Sequence, residues 1–400
     1  MHGVDDGFVR PYRPLDGRRI WFVGIGGAGL SSYAFLARAW GAEVGGWDRV
    51  ETPYLRQLDG VEVDLGPEPV VREGWETVVS TAYAEQVQGR PRAEFLAEVV
   101  SLQRSIVVSG AHGKTTTTGM IAFVLAELGL DPAYLIGGEI PQLGGNAAAG
   151  DGWLVVEGDE SDRTIESLRP EIAVVTNVEL DHHATFASAA ELEELFEGWL
   201  AQVPHVVRGW ELEPVSFELA IPGEHNRRNA AAALAALEFA GVEPVTAEPV
   251  LARFRGAGRR FELVGERGGV TVVDDYAHHP SEIAATIAAA RERTQGRVLV
   301  LFQPHLYSRT RHLAHEFGAA LSTADAVCVT EIYRAREEPL EGVGGKLVLD
   351  ALRPGLLAGW APSLEDAAAI VGRWARRGDL VLTLGAGDVD RAAKLILESR

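Results

Sequence analysis

The 400-residue sequence has a single cysteine, Cys328. That excludes an intramolecular disulfide and any metal site built on several thiolates. No run of about 18 apolar residues occurs, so no segment reads as a membrane span. Met1 to Arg19 carries no apolar stretch of the kind a secretion signal needs. The expectation is a soluble, cytoplasmic protein. Positive charge is also scarce, with 37 lysines and arginines against 57 acids and a net charge of −20. A general nucleic-acid binder needs a basic face, so that class is set aside, as is a protein resting on anionic lipid. Small anionic substrates stay open, because a basic pocket can sit inside an acidic chain. Lysine is rarest of all, present only as Lys114, Lys346 and Lys394. A lysine kept at a special position is therefore informative, since arginine does not replace it freely.

What is present is core and glycine. The apolar fraction of 46% is that of a globular chain, and at ~150 residues per domain the length predicts two or three domains. Short apolar runs alternate with amphipathic stretches, the pattern of α/β architecture. Glycine, at 45 residues, gathers where an apolar run meets a helical pattern. Ile20–Val23 leads into Gly24-Ile25-Gly26-Gly27-Ala28-Gly29. Ile106–Val108 leads into Gly110-Ala111-His112-Gly113-Lys114-Thr115. Val381–Leu384 leads into Gly385-Ala386-Gly387-Asp388. Three such units predict three α/β domains, with boundaries placed at 1–104, 105–257 and 258–400.

The second unit carries the most chemistry. A phosphate loop needs small residues so that backbone N–H groups can face phosphate oxygens, a lysine for the β- and γ-phosphates, and a hydroxyl for Mg²⁺. All three are present, ahead of a helical pattern whose N-terminus favours anions. The loop is two residues shorter than the common form, and a plain glycine turn is the alternative. Gly24, Gly26 and Gly29 fit G-x-G-x-x-G, with Asp48 about twenty positions on, as in dinucleotide-binding turns. Tight packing without a ligand is the alternative there.

Further polar clusters follow apolar runs. Glu157 to Asp162 holds four acids in six residues and suits a hydrated Mg²⁺; a solvated acidic loop fits equally. Glu179, Asp181, His182 and His183 follow another run, with His182 a candidate metal ligand. Asn226 and Asn229, three apart ahead of an alanine-rich helix read as Ala230–Ala240, either cap it or bind a base edge. Arg253, Arg255, Arg259 and Arg260 form a basic patch suited to phosphate. Asp274 to Pro280 and Phe302 to Arg311 each follow a strand-like run. In open α/β sheets, ligands collect beyond the carboxyl ends of strands.

In this order the motifs resemble the Mur ligase family, from Gly24–Ser31 to Gly385–Asp388, nearly the whole chain. They include Arg92-Ala93-Glu94, the short Gly110–Thr118 loop, Glu157–Asp162, Thr176–His182, His225–Asn229, Arg259-Arg260-Phe261 and Asp274–Pro280. The resemblance implies a Rossmann-like UDP-binding domain, a shortened P-loop-type ATPase and a Rossmann-like C-terminal domain. It implies an ATP-dependent ligase that joins L-alanine to UDP-N-acetylmuramate through an acyl phosphate, with two Mg²⁺ ions, in peptidoglycan precursor synthesis. It implies catalytic roles for Lys114, His182 and Arg260. ATP would meet Gly110, Ala111, His112, Gly113, Lys114, Thr115, Thr116, Asn226, Asn229, Arg260 and Asp275. Metal would be held by Thr115, Glu157 and His182. The UDP-sugar would meet Gly24, Gly26, Gly27, Gly29, Ser31, Asp48 and Ser80. His278, His305 and Arg309 would lie near the carboxylate and the amino acid.

The chain departs from the pattern in places. Leu306 stands where the family has arginine. The stretch from His182 to Asn226 is about half the family's length, which implies less β-structure in the middle domain. A ligase that attaches an intact peptide to the same UDP-sugar is the alternative within the family. An NAD-dependent oxidoreductase and a silent relative are the alternatives outside it.

Overall fold

A computed structural model describes residues 12–180, 185–186, 188–335 and 337–399. Three separate sheets organise them. The first is wholly parallel, in the order β3-β2-β1-β4-β5. Its strands are β1 (Arg19–Val23), β2 (Glu43–Asp48), β3 (Glu62–Leu65), β4 (Glu76–Val79) and β5 (Arg90–Pro91). Helices α1 (Ala28–Ala39) and α2 (Arg92–Leu102) accompany it. Strand order reverses at β1, so the glycine turn after β1 sits at the switch point, where crevices open in such sheets.

The second sheet runs β11-β10-β6-β9-β7-β8, with only β7 and β8 antiparallel. It comprises β6 (Ser105–Ser109), β7 (Ala133–Ile140), β8 (Gly145–Ala148), β9 (Leu154–Glu157), β10 (Ile172–Val175) and β11 (His205–Arg208). Its central strands are continuous apolar runs buried on both faces, as parallel sheets require. Val108 pairs with Glu157 and Ser109 with Val175, which brings the carboxyl ends of β6, β9 and β10 to one edge. Helix α3 (Lys114–Glu127) is buried on all sides from Thr115 to Leu125, enclosed with α5 (Glu224–Phe239) and α6 (Pro244–Leu251) in one apolar cluster. Helix α4 (Ala189–Leu200) packs on the opposite face, where Phe95, Val107, Val156 and Trp199 join the first two sheets through a shared core.

The third sheet, β12-β13-β17-β14-β15-β16, is parallel except for β12 against β13. It contains β12 (Glu262–Arg267), β13 (Val270–Asp275), β14 (Val298–Phe302), β15 (Ala326–Val329), β16 (Leu357–Trp360) and β17 (Leu380–Leu384). One apolar cluster lies on each face. Its helices are α7 (Pro280–Arg293), α8 (Tyr307–Leu321), α9 (Lys346–Asp350), α10 (Leu364–Trp374) and α11 (Asp390–Glu398). The α/β class with three sheets is as expected.

Two local readings are corrected. The alanine-rich helix begins at Glu224, not Ala230, so Asn226 and Asn229 lie inside its first turns. Glu224 puts an acid beside the helix dipole there. Asp274 and Asp275 are the last residues of β13, not the loop after it. No helix among the described residues is long and apolar enough to cross a membrane.

Candidate active site

The loop between β6 and α3 is shaped by two left-handed glycines, Gly110 (φ +123°) and Gly113 (φ +82°). A Cβ at Gly110 would meet the Asn177 backbone, and one at Gly113 would overlap the Asn229 amide. Both positions require glycine for conformation and for close approach. His112 N–H donates to Asn177 Oδ1 at 3.0 Å, tying the loop to the end of β10.

Lys114 curls back over this loop. Its ammonium donates to Gly110 O at 2.6 Å and reaches both oxygens of Glu160, at 3.0 and 3.1 Å. The lysine side chain is 17% exposed and Glu160 2%. Burial by itself would lower the Lys114 pKa, but the charges of Glu160, Asp159 and Glu157 outweigh it and the shift is upward. Lys114 is therefore a cation throughout the neutral range. Beside it, Thr115 donates to Glu157 Oε1 at 3.2 Å, and Gly137 N–H donates to Oε2 at 2.8 Å. A hydroxyl and a carboxylate at this spacing are hard oxygen donors and fit Mg²⁺. His182, the expected third metal ligand, lies outside the described residues.

The third sheet contributes a cluster around Glu282, in the first turn of α7. Its carboxylate faces His112 Nδ1 at 3.1 Å, His278 Nδ1 at 3.1 Å and Arg260 at 3.6 Å. Burial would raise Glu282; His278 and His112 reverse that and hold it well below the ordinary carboxylate range. His112 also meets Glu179 at 3.1 Å. Burial pulls the His112 pKa down, but Glu179 and Glu282 together push it up to about 9. His225, by contrast, is lowered to about 4 by burial and is neutral. Asp275, at the end of β13, is raised to about 6 by burial, while it accepts N–H donors from Phe261 and Ala277.

Three cavities form a continuous row. The first, about 360 Å³, is lined by Gly113, Asn226, Asn229, Arg260 and Asp275. The second, about 860 Å³, shares His112, Gly113, Arg260 and Glu282 with it and adds Lys114, Thr115, Glu157 and His278. The third, about 480 Å³, lies over Gly24, Gly26, Gly27, Gly29, Asp48 and Ser80. Arg92, at the start of α2, borders both the second and third, and its guanidinium meets Asp162 at 2.5 Å and Asp159 at 3.4 Å.

The remaining expected residues have these surroundings. Asp48 accepts Gly26 N–H at 2.7 Å and Arg49 N–H at 2.7 Å, so its carboxylate shapes the glycine turn itself. Ser31 is buried in α1 and donates to Ala28 O at 3.1 Å. Ala111 and Thr116 lie on the loop and on α3, bordering the second and first cavities respectively. His305 stacks on Tyr333 with ring centroids 5.8 Å apart, and the Arg309 guanidinium meets His305 Nδ1 at 3.3 Å. Leu306 caps α8 with φ +70°, a strained value for a bulky residue. Arg259 borders the second cavity with its guanidinium already engaged. It bonds Asp274 at 2.8 Å and the carbonyls of Gly385 and Gly387, each at 2.8 Å. The third glycine turn thus holds an arginine by its carbonyls. Glu282 was not singled out in the sequence; its spacing of four from His278 at a helix start was the available signal.

A short phosphate loop, paired with strand-end acids and roofed by a second α/β unit, defines an enzyme of the phosphoryl-transfer class. The Mur ligase middle domain matches residues 108–205, and the Mur ligase glutamate ligase domain matches residues 259–387. UDP-N-acetylmuramate–L-alanine ligase of Rubrobacter xylanophilus is 40% identical, covering 95% of this chain and 99% of that one. The enzyme of the same name from Streptomyces coelicolor is 39% identical, covering 98% and 99%. These alignments run to 445 and 462 positions, so both relatives carry residues this chain lacks. The crystal structure of the UDP-N-acetylmuramate–alanine ligase of Thermotoga maritima superimposes with a TM-score of 0.77 at 27% identity, covering 95% of this chain and 98% of that one. The chain belongs to the Mur ligase family of ATP-dependent, ADP-forming ligases.

Proposed function

We propose that this enzyme joins L-alanine to UDP-N-acetylmuramate in the cytoplasm, with ATP converted to ADP and phosphate, as a step of peptidoglycan precursor synthesis. The observation that supports the reading is the row of three cavities, adjoining through shared lining residues, to which we assign the nucleoside triphosphate, the reacting groups and the UDP-sugar in turn. The names of the relatives, at coverage above nine-tenths on both sides, support the substrates.

The chemistry follows from the side chains. The muramoyl carboxylate attacks the γ-phosphorus of ATP and ADP leaves, giving an acyl phosphate. The alanine amine then attacks the acyl carbon, phosphate leaves, and the amine proton passes to solvent or a nearby base. Lys114 and Arg260 offset the charge that spreads over the transferring phosphoryl oxygens, where fixed cations act most strongly. Asn226 and Asn229 hold the base and Asp275 the ribose. Thr115 and Glu157 would hold Mg²⁺, which supplies Lewis-acid neutralisation of phosphate charge when bound. His278, His305 and Arg309 orient the amino acid. Residues 1–104, 105–257 and 258–400 serve as the three domains, in line with the three sheets and with α5 and α6 packing on α3.

The test supplies ATP, Mg²⁺, UDP-N-acetylmuramate and single amino acids, and measures phosphate release. Release that depends on L-alanine is expected. Release only with a tripeptide would move the assignment to a peptide-recycling ligase, and none with any amino acid or short peptide would overturn the ligase reading.

A further inference from the structure

We infer that Trp210 is a base-stacking residue that fixes the nucleotide's adenine in the first cavity. This deepens the proposed function and rests on its assignment of that cavity to ATP. Trp210 lies on the single turn Gly209–Glu211 that follows β11. It belongs to the shortened stretch between His182 and Asn226, which the motifs left without a role.

Three observations place its ring. First, the turn is pinned. A Cβ on Gly209 would come within 2.6 Å of Thr176 O, so Gly209 packs directly on the end of β10 and holds the turn at the carboxyl edge of the sheet. Second, Trp210 is 44% exposed, yet it lines the first cavity with Asn226, Asn229, His225 and Ala232. A lone exposed aromatic needs no explanation; one that walls a pocket beside two buried amides does. Third, Phe261 borders the same cavity from the third sheet. It is held at φ +52° while its N–H bonds Asp275 at 2.7 Å.

The chemistry of these groups points to a flat, polar-edged ring. An indole offers a π-face to any base, and the amides offer the donors and acceptors that read a base edge. The neutral imidazole of His225 adds a second planar surface without charge. At about 360 Å³ the cavity is within the size range of small-ligand sites. A triphosphate alone would have no use for this wall, since Lys114 lines only the second cavity and Arg260 stands where the two cavities meet.

The experiment titrates the full chain with ADP and, separately, with inorganic tripolyphosphate, which carries phosphates and no base. Binding is followed by calorimetry and by tryptophan emission. The chain has nine tryptophans, and among the described residues no other lines this cavity. Wild type is expected to show an ADP-induced change in emission that Trp210→Phe loses while keeping affinity within about threefold. Trp210→Ala should weaken ADP on the order of tenfold and leave tripolyphosphate unchanged. Asn229→Ala is the control for the cavity. If it weakens ADP while Trp210→Ala does not, and the emission change survives in Trp210→Phe, stacking is refuted and the cavity assignment stands. If neither variant affects ADP, the assignment of the cavity to the nucleotide falls, and the inference with it.

Discussion

Replacing Lys114 by methionine should damage the protein twice, and the two losses can be separated. Methionine keeps the length of the apolar stem and removes the ammonium. Glu160, 2% exposed, then loses the cation that meets both its oxygens near 3 Å, and keeps the Ser109 hydroxyl at 3.3 Å. Removing one member of a buried ion pair typically costs 3–5 kcal/mol. Lys114 retains 17% exposure, which puts the expected loss near the lower end, at about 3 kcal/mol. The carbonyls of Gly110 and Ala111 also lose a donor. In the double variant Lys114→Met/Glu160→Gln no buried charge is stranded, so roughly 2 of those 3 kcal/mol should return. Turnover should not return. On the proposed mechanism the charge facing the γ-phosphoryl is absent in both variants, and losses of at least 10²–10³-fold are expected from removing one such group. Urea unfolding reads the first effect and phosphate release the second. The reasoning fails if Lys114→Met is as stable as wild type, or if the double variant regains turnover.

Two further perturbations test the loop and the His112 bridge. Gly113→Ala should cost about 1–2 kcal/mol for the left-handed conformation, and more because the new methyl displaces the Asn229 amide; Gly144→Ala (φ +79°, with nothing within 4 Å of its Cβ) bears only the conformational cost. Equal effects on stability and on ADP affinity would contradict the close-approach argument. His112 has a folded pKa of about 9 against 6.5, so its contribution is complete below about pH 6.5 and is lost as the pH rises through 9. Wild type should lose up to ~3 kcal/mol across that window relative to His112→Gln; parallel pH–stability curves for the two would remove the bridge to Glu179 and Glu282.

Local pattern carried the parts of this fold that are local. The strand–glycine–helix units, the short phosphate loop and the acids after β9 are readable because each depends on a few consecutive residues. The start of α5 was not. Glu224 to Asn229 is polar and reads as a loop, and its helical state is fixed by Gly223 at φ +98° and by packing that buries both asparagines. Arg259 shows the same limit for the site. Beside Arg260 it looks like a second phosphate ligand. Its actual partners are carbonyls 126 and 128 residues away, which no spacing rule reveals. Trp210 was invisible as well, because a lone tryptophan after a short strand gains meaning only from the cavity it walls.

The charge of the chain can now be argued at the site itself. An acidic protein with an arginine-lined pocket was the expectation, yet each cation along the cleft is already matched. Lys114 faces Glu160, Arg92 faces Asp162 and Asp159, Arg260 faces Glu282, and His112 lies between Glu179 and Glu282. The cleft is therefore not a strong positive field that draws in any anion. A phosphate oxygen gains here only by taking over a cation from a carboxylate, an exchange whose net energy is small and whose geometry is exacting. The carboxylates set free must then be neutralised in turn, and Glu157 stands next to Thr115 with hard oxygen donors for a divalent ion. On the proposed function, a metal–nucleotide complex is then expected to be a better ligand than the free nucleotide. It also explains how a chain with only three lysines can reserve one for a site crowded with acids: the acids hold the lysine charged and in place until the phosphate arrives.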